Sequence, residues 1–294
     1  VNSLRHGLPD GIIPILATAF DSSGRLDQSS FVRQVNACID DGAGAVAMFG
    51  LASEYYKLSD SERGHLARVT VEAARGRVPV ILSVTPHARE LAVEEARRFA
   101  ALGASALMIM PPFFLGPSEQ AIMSHVASVA EAVSIPVVVQ YAPLQTGRSI
   151  DPETFIQLAA QHGNIAGVKV DTVPTGPYLA ALPGLRTYVG YLGLHLPEAV
   201  ERGAAGCMPS ASLTRSFVHC WSELHATGGQ GRRTHASLLP VLNFMMQNVE
   251  FMIACEKRLL VRRGIFDAAY CRAPHATLDD VQARELDQYT EVLL

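Results

Sequence analysis

Lysine is nearly absent from this chain. Of its 24 Lys+Arg residues only Lys57, Lys169 and Lys257 are lysines, so each one raises the question of why it is there. Charged residues are only 18% of the 294 and the net charge is −4. No basic stripe interleaved with aromatics occurs, which argues against a nucleic-acid partner. The cysteines (Cys38, Cys207, Cys220, Cys255, Cys271) are five, an odd number, scattered and without a CxxC pair. That fits free thiols in a reducing, cytoplasmic setting better than a disulfide framework. The ten histidines show no HxH, HExxH or Cys–His spacing, so no metal site is nominated. Neither GxGxxG nor GxxxxGK[ST] is present, which removes the usual signals of a dinucleotide or phosphate cradle. The N-terminal stretch Val1–Gly7 lacks the apolar segment of a signal peptide. The longest greasy stretch, Leu238–Ala254, is interrupted by Pro240, Asn243, Gln247, Asn248 and Glu250, and reads as a buried or interface helix rather than a membrane span. The expectation is a soluble, cytoplasmic protein with no membrane partner.

What the chain has is apolar material in a regular alternation. Hydrophobic residues make up 49%, enough for a sizeable core. Short β-rich runs, each followed by an amphipathic helical pattern, fall at Gly11–Ala19, Ala45–Phe49, Val80–Val84, Ala106–Met110, Val137–Tyr141, Ile165–Val170, Arg186–Gly190 and Gly206–Met208. Such alternation implies right-handed βαβ units and a parallel sheet. Eight units fit an α/β fold of the (β/α)8 TIM-barrel type, for which about 250 residues is typical. An open doubly wound sheet is the alternative. Beyond the glycine-rich break at Gly228–Gly231 only helical periodicity remains. The expected organisation is a catalytic barrel over residues 1–227 and a C-terminal helical region over residues 228–294.

The oddly placed lysine is Lys169, in the apolar run Ile165–Val170. Burying an ammonium is costly unless its pKa falls. A lysine held in apolar surroundings is partly neutral near pH 7, as an amine nucleophile must be to attack a carbonyl. The alternative is a strand-end lysine whose head reaches water. In a (β/α)8 barrel the C-terminal strand ends carry the chemistry, and Lys169 falls at such an end.

Other strand ends supply companions. After the second strand the loop from Gly50 to Leu58 contains Ala52, Ser53 and Glu54. Its backbone N–H groups and the Ser53 hydroxyl could receive a substrate carboxylate, or Ser53 could simply cap a turn. After the fifth strand come Gln140 and Tyr141. A tyrosine facing a lysine nucleophile can shuttle protons during imine formation; otherwise it is a packed aromatic. Met208, which closes the eighth strand, completes the candidate set. Pro111–Phe114 forms a rigid apolar rim suited to a lid or subunit contact.

Taken in order, Gly50…Glu54, Pro143…Gly147, Gly167-Val168-Lys169, Leu196-Pro197 before Gly203…Gly206, and Arg272…Pro274 resemble the dihydrodipicolinate synthase / N-acetylneuraminate lyase family of Schiff-base barrels. The resemblance implies a 2-oxo acid, usually pyruvate, bound as an imine on Lys169. Aldol cleavage, aldol condensation or dehydration would follow. It implies no metal or organic cofactor, and a homo-oligomer, commonly a tetramer, otherwise a dimer.

The chain departs from the family's pattern at chosen points. Leu51, Ala52 and Ser53 stand where the family's loop carries a hydroxyl pair and a glycine. Matching on Pro143 puts Gln140 in the place of the family's catalytic tyrosine. Counting back 28 residues from Lys169 selects Tyr141 instead, and Tyr141 is taken here as the working phenol. Gln145 replaces the arginine that grips aspartate semialdehyde in the synthase branch, and Phe114 replaces its rim tyrosine. A neutral amide is a poor substitute for a bidentate cationic clamp. The reading is therefore a class I lyase acting on pyruvate or a 2-keto-3-deoxy sugar acid. Dihydrodipicolinate synthase itself and a catalytically silent 2-oxo-acid-binding barrel are the rivals.

Overall fold

The computed structural model describes residues 7–226 and 229–291. Eight strands alternate with helices: β1 (Gly11–Ile12), β2 (Val46–Met48), β3 (Val80–Val84), β4 (Ala106–Ile109), β5 (Val137–Tyr141), β6 (Ile165–Val170), β7 (Arg186–Val189) and β8 (Gly206–Cys207). Helices Thr214–His225, Gln230–Met245, Val249–Arg262 and Asp280–Thr290 follow. This is the α/β, (β/α)8 class with C-terminal helices. The expected boundary after residue 227, and the N-terminal residues 1–6, lie outside the described residues.

The chain packs as two compact units. One comprises the segment ending at Gly11 and Pro79–Met208; the other comprises Ile12–Val78 and the chain from Pro209 onward.

In the first unit the strands are parallel and ordered β3-β4-β5-β6-β7-β8. Every residue of β3, β4, β5 and β6 is buried, which is why these strands read as unbroken apolar runs. The β5–β6 register carries one irregularity. Val137 pairs with Ile165, but Val138 pairs with Gly167, so Ala166 is an extra residue in β6. From there on Gln140 lies opposite Lys169 and Tyr141 opposite Val170. Gly167 sits where a Cβ would come within 2.7 Å of the Arg186 carbonyl oxygen, so a side chain here would push the strands apart.

In the second unit Ile15 bridges in parallel to Ala47 and to Ser210. The long strand expected from Gly11 to Ala19 is only Gly11–Ile12 followed by that isolated bridge, because Pro14 has no N–H to give to a ladder. The stretch Leu238–Ala254, expected as one helix, is two. The first ends at Met245, and Asn248 caps the second by accepting from Phe251 N at 2.9 Å. Helix Val249–Arg262 buries residues around most of its circumference, including Glu256 and Lys257, and packs on the short turn Leu51–Ser53. No single helix among the described residues is long and apolar enough to cross a membrane.

Candidate active site

Lys169 is the fifth residue of β6, and its side chain is buried, with 6% exposure for the residue. The Nζ donates a hydrogen bond to Asp171 Oδ2. Strand alternation carries residues i and i+2 to the same face, so the sequence Lys-Val-Asp delivers the amine and the carboxylate together. Asp171 lies just past the strand end, tied down by its N–H to the Tyr141 carbonyl at 2.8 Å, and is as buried as the lysine.

Two further donors fix the carboxylate. Gln140 Nε2 donates to Oδ2 at 2.8 Å, and the Tyr191 backbone N–H donates to Oδ1 at 2.7 Å. A carboxylate accepts only, so the Gln140 amide must turn its nitrogen toward Asp171. Its carbonyl Oε1 is then left buried without a hydrogen-bond partner. Tyr191 and Leu192 both have positive φ, at 50° and 54°, a region that costs a non-glycine residue roughly 1–2 kcal/mol. The charge-assisted bond from Tyr191 N to Asp171 helps to hold that turn. Gly190 makes the arrangement possible. A Cβ there would lie 1.8 Å from Asp171 Oδ1 and 2.9 Å from Lys169 Nζ.

Gln140, not Tyr141, shares the face of Lys169. Paired residues of adjacent parallel strands project to the same side, and Tyr141 is paired with Val170. Its ring stacks on Tyr178 at 4.1 Å and meets Phe155 edge-on at 6.0 Å. This corrects the expectation that Tyr141 is the phenol beside the nucleophile. The separation of 28 residues holds for the pair Val137–Ile165; the extra Ala166 makes it 29 beyond that point. Met208 is buried, its N–H bonded to the Val189 carbonyl at 2.9 Å.

In the second unit the loop after β2 is a tightly committed structure. Ser53 Oγ donates to the Leu16 carbonyl at 2.6 Å and accepts from Phe49 N at 3.0 Å, while Ser53 N–H bonds the Gly50 carbonyl at 2.9 Å. Both donors of Ser53 are therefore spent on backbone carbonyls, those of Leu16 and Gly50. The expectation that they receive a substrate carboxylate is corrected on that ground. Ala52 is buried in the same short turn.

The neighbouring Glu54 is fully buried and forms ion pairs with Lys257 and, at 3.1 Å, with Lys57. Lys57 also pairs with Glu250 at 2.7 Å. Burial pushes the pKa of Lys257 down, against the attraction of Glu54. For Lys57 burial acts the same way, but the bonds to Glu250 and Glu54 outweigh it and its pKa is raised. All three lysines of the chain thus have carboxylate partners. Only Lys169 combines that with a place at a strand end. Among the described residues no group of three or more His, Cys, Asp or Glu side chains is arranged to hold a metal ion.

The frame is that of a (β/α)8 protein with a buried lysine at the end of the sixth strand. Residues 8–292 match the dihydrodipicolinate synthetase family, and the chain belongs to that family. It is 30% identical over 241 residues to the 4-hydroxy-tetrahydrodipicolinate synthase of Salinibacter ruber, covering 79% of each chain. It is 28% identical over 289 residues to the L-2-keto-3-deoxyarabonate dehydratase of Azospirillum brasilense, covering 94% of this chain and 92% of that one. Among solved structures it is similar in fold to YagE, a prophage protein of the family from E. coli K12 in complex with pyruvate. There the TM-score is 0.88 and the identity 22%, over 97% of this chain and 98% of that one.

Asp171 is the site residue that sequence reasoning passed over. A signal for it existed, since a carboxylate two residues beyond a strand-end lysine lies on the lysine's face.

Proposed function

We propose that this chain is a class I lyase that holds a 2-oxo acid as a Schiff base on Lys169. The observation that carries the reading is the lysine itself: an almost inaccessible amine at the C-terminal end of β6, bonded to one carboxylate. Membership of a family whose relatives include a synthase and a keto-deoxy-sugar-acid dehydratase supports it. In the proposed chemistry the amine of Lys169 adds to the ketone, water leaves, and the protonated imine withdraws electrons as a C3 bond breaks. The substrate is pyruvate or a 2-keto-3-deoxy sugar acid, and the reaction is aldol cleavage, aldol condensation or dehydration.

Two residues weigh against condensation of pyruvate with aspartate semialdehyde. Gln145 offers a neutral amide where a carboxylate clamp would need a cation. Phe114 has no proton to relay. Its 72% exposure, with 91% at Leu115, supports a homo-oligomer that covers this rim.

The test is borohydride reduction in the presence of pyruvate, followed by intact-mass measurement and peptide mapping. The expected result is one pyruvyl adduct on Lys169, absent in Lys169→Ala. The only competing amines on side chains are Lys57 and Lys257, both ion-paired. No adduct with pyruvate or with longer 2-oxo acids would remove the imine reading. Turnover of aspartate semialdehyde in a coupled assay would reinstate the synthase.

A further inference from the structure

We propose that Asp171 is the acid–base catalyst of imine formation, carrying the protons that neither Tyr141 nor Tyr188 is placed to carry. The proposal rests on the imine reading of Lys169 and adds to it the identity of the proton carrier. Imine formation needs a group that takes a proton from the amine and delivers one to the departing oxygen. The partners of Lys169 are now defined. Opposite it on β5 stands Gln140, whose amide does not titrate, and opposite it on β7 stands Tyr188. The Tyr188 hydroxyl is committed to the Pro9 carbonyl at 2.7 Å, and burial pushes its pKa up. Tyr141 is turned to the other face. Asp171 touches the reacting nitrogen.

Protons balance through this one carboxylate. Asp171 takes a proton from the Lys169 ammonium, leaving a neutral amine. The amine nitrogen forms a bond to the carbonyl carbon, and the π pair moves to oxygen, which takes the proton from Asp171. Asp171 then removes a proton from the carbinolamine nitrogen and returns it to the hydroxyl. Water leaves as the nitrogen lone pair forms the C=N bond. The products are a protonated imine, one water and the Asp171 carboxylate, still paired with the nitrogen.

The surroundings hold the carboxylate in place for repeated transfers. Gln140 and the Tyr191 N–H each bond it, and the absence of a side chain at Gly190 leaves its space open. The two N–H donors keep its oxygens fixed between transfers. Gln140 is a positioning residue in this scheme, since it acts through Asp171.

The experiment is a time-resolved version of the trapping reaction. Protein and pyruvate are mixed, quenched with borohydride at intervals, and the adduct on Lys169 is counted by mass. Asp171→Asn keeps the size of the side chain and an oxygen for Tyr191 N. Its adduct is expected to form about 100-fold more slowly or worse, the range of a lost general acid–base. Thermal stabilisation by pyruvate should persist in this variant, which a merely structural role would not predict. Should Asp171→Asn not fold, Asp171→Ala is assayed with formate: a slow rate that climbs with formate concentration supports the carboxylate as carrier. Trapping of Asp171→Asn, or of Asp171→Ala without formate, at the wild-type rate overturns the proposal and leaves the imine reading intact. Absence of adduct on the wild type with pyruvate and with longer 2-oxo acids overturns both.

Discussion

Gly190→Ala tests the Lys169–Asp171 pair without altering either residue. The new Cβ would stand 1.8 Å from Asp171 Oδ1, where an ordinary contact begins at 3.4 Å. The carboxylate must therefore retreat by about 1.6 Å, or the β7 strand end must move away by that amount. Lys169 Nζ, at 2.9 Å from the same point, must also give by several tenths of an ångström. Retreat of Asp171 lengthens its bonds to Tyr191 N and Gln140 Nε2 together. A hydrogen bond to a charged group is worth about 1.5–3 kcal/mol, so weakening two of them should cost about 3 kcal/mol. A displacement near 1 Å costs on the order of 100-fold in rate when it misplaces a catalytic group. The expected phenotype is a lower urea midpoint with an unchanged m-value, and adduct formation about 100-fold slower than wild type. Adduct formation at the wild-type rate would refute the argument, because it would mean that the pair tolerates a side chain in the space it is said to need.

Four other outcomes follow from the same geometry. Tyr141→Phe should trap pyruvate within about threefold of wild type, since its ring lies on the other face from Lys169; a 100-fold loss in the quenched-reduction assay would return the phenol to the mechanism. Gln140→Leu should slow trapping about tenfold, the rate equivalent of a bond worth about 1.4 kcal/mol, with an unchanged rate counting against its positioning role. Glu54→Gln removes the carboxylate shared by Lys57 and Lys257, and breaking a buried pair from one side costs about 3–5 kcal/mol; a loss below about 1 kcal/mol by urea unfolding would contradict a structural role for the network. Glu256 is fully buried, and burial raises its pKa above the usual 4.5 against the bonds from Ser212. Above pH 4.5 the unfolded chain releases this proton before the folded one does, so folding stability declines as pH rises from there toward the raised value. The decline should be shallower in Glu256→Gln when melting temperature is followed against pH, and parallel profiles for the two proteins would remove Glu256 as its source.

The sequence made the frame legible wherever the physics was local. Strands β3, β5 and β6 end at the residues expected for them, because runs such as Val137-Val138-Val139 are buried on both faces and stop at a turn. Local apolarity misled at Pro14, where the run continues but the hydrogen-bond ladder cannot. It misled again at Met246–Asn248, where an asparagine cap starts a second helix inside an apolar stretch. For the site, Lys169 was conspicuous through the mismatch between its charge and its neighbours, and its place at a strand end was legible from the alternation of elements. The companions were harder because their roles depend on contacts across the sheet. The Ser53 hydroxyl is spent on Leu16, 37 residues away in the chain, and no pattern within the loop encodes that.

Choosing between Gln140 and Tyr141 depended on a single inserted residue. A separation of 28 from Lys169 identifies the facing residue only if the two strands keep one register from end to end. Ala166 breaks that condition, and one extra residue exchanges the two faces of everything beyond it. The small residues at 166 and 167 are compatible with a bulge but do not demand one, and so the sidedness of Tyr141 could not be counted from the chain. The same shift is what leaves an amide beside Lys169. With Gln140 in that place, the proton carrier of the proposed imine chemistry falls to β6 itself or to an adjoining strand end, and Asp171 is the carboxylate that the i, i+2 alternation supplies there. The bulge and the Lys-Val-Asp sequence are therefore parts of one arrangement: the first removes the phenol from the face of the lysine, and the second puts a carboxylate on it.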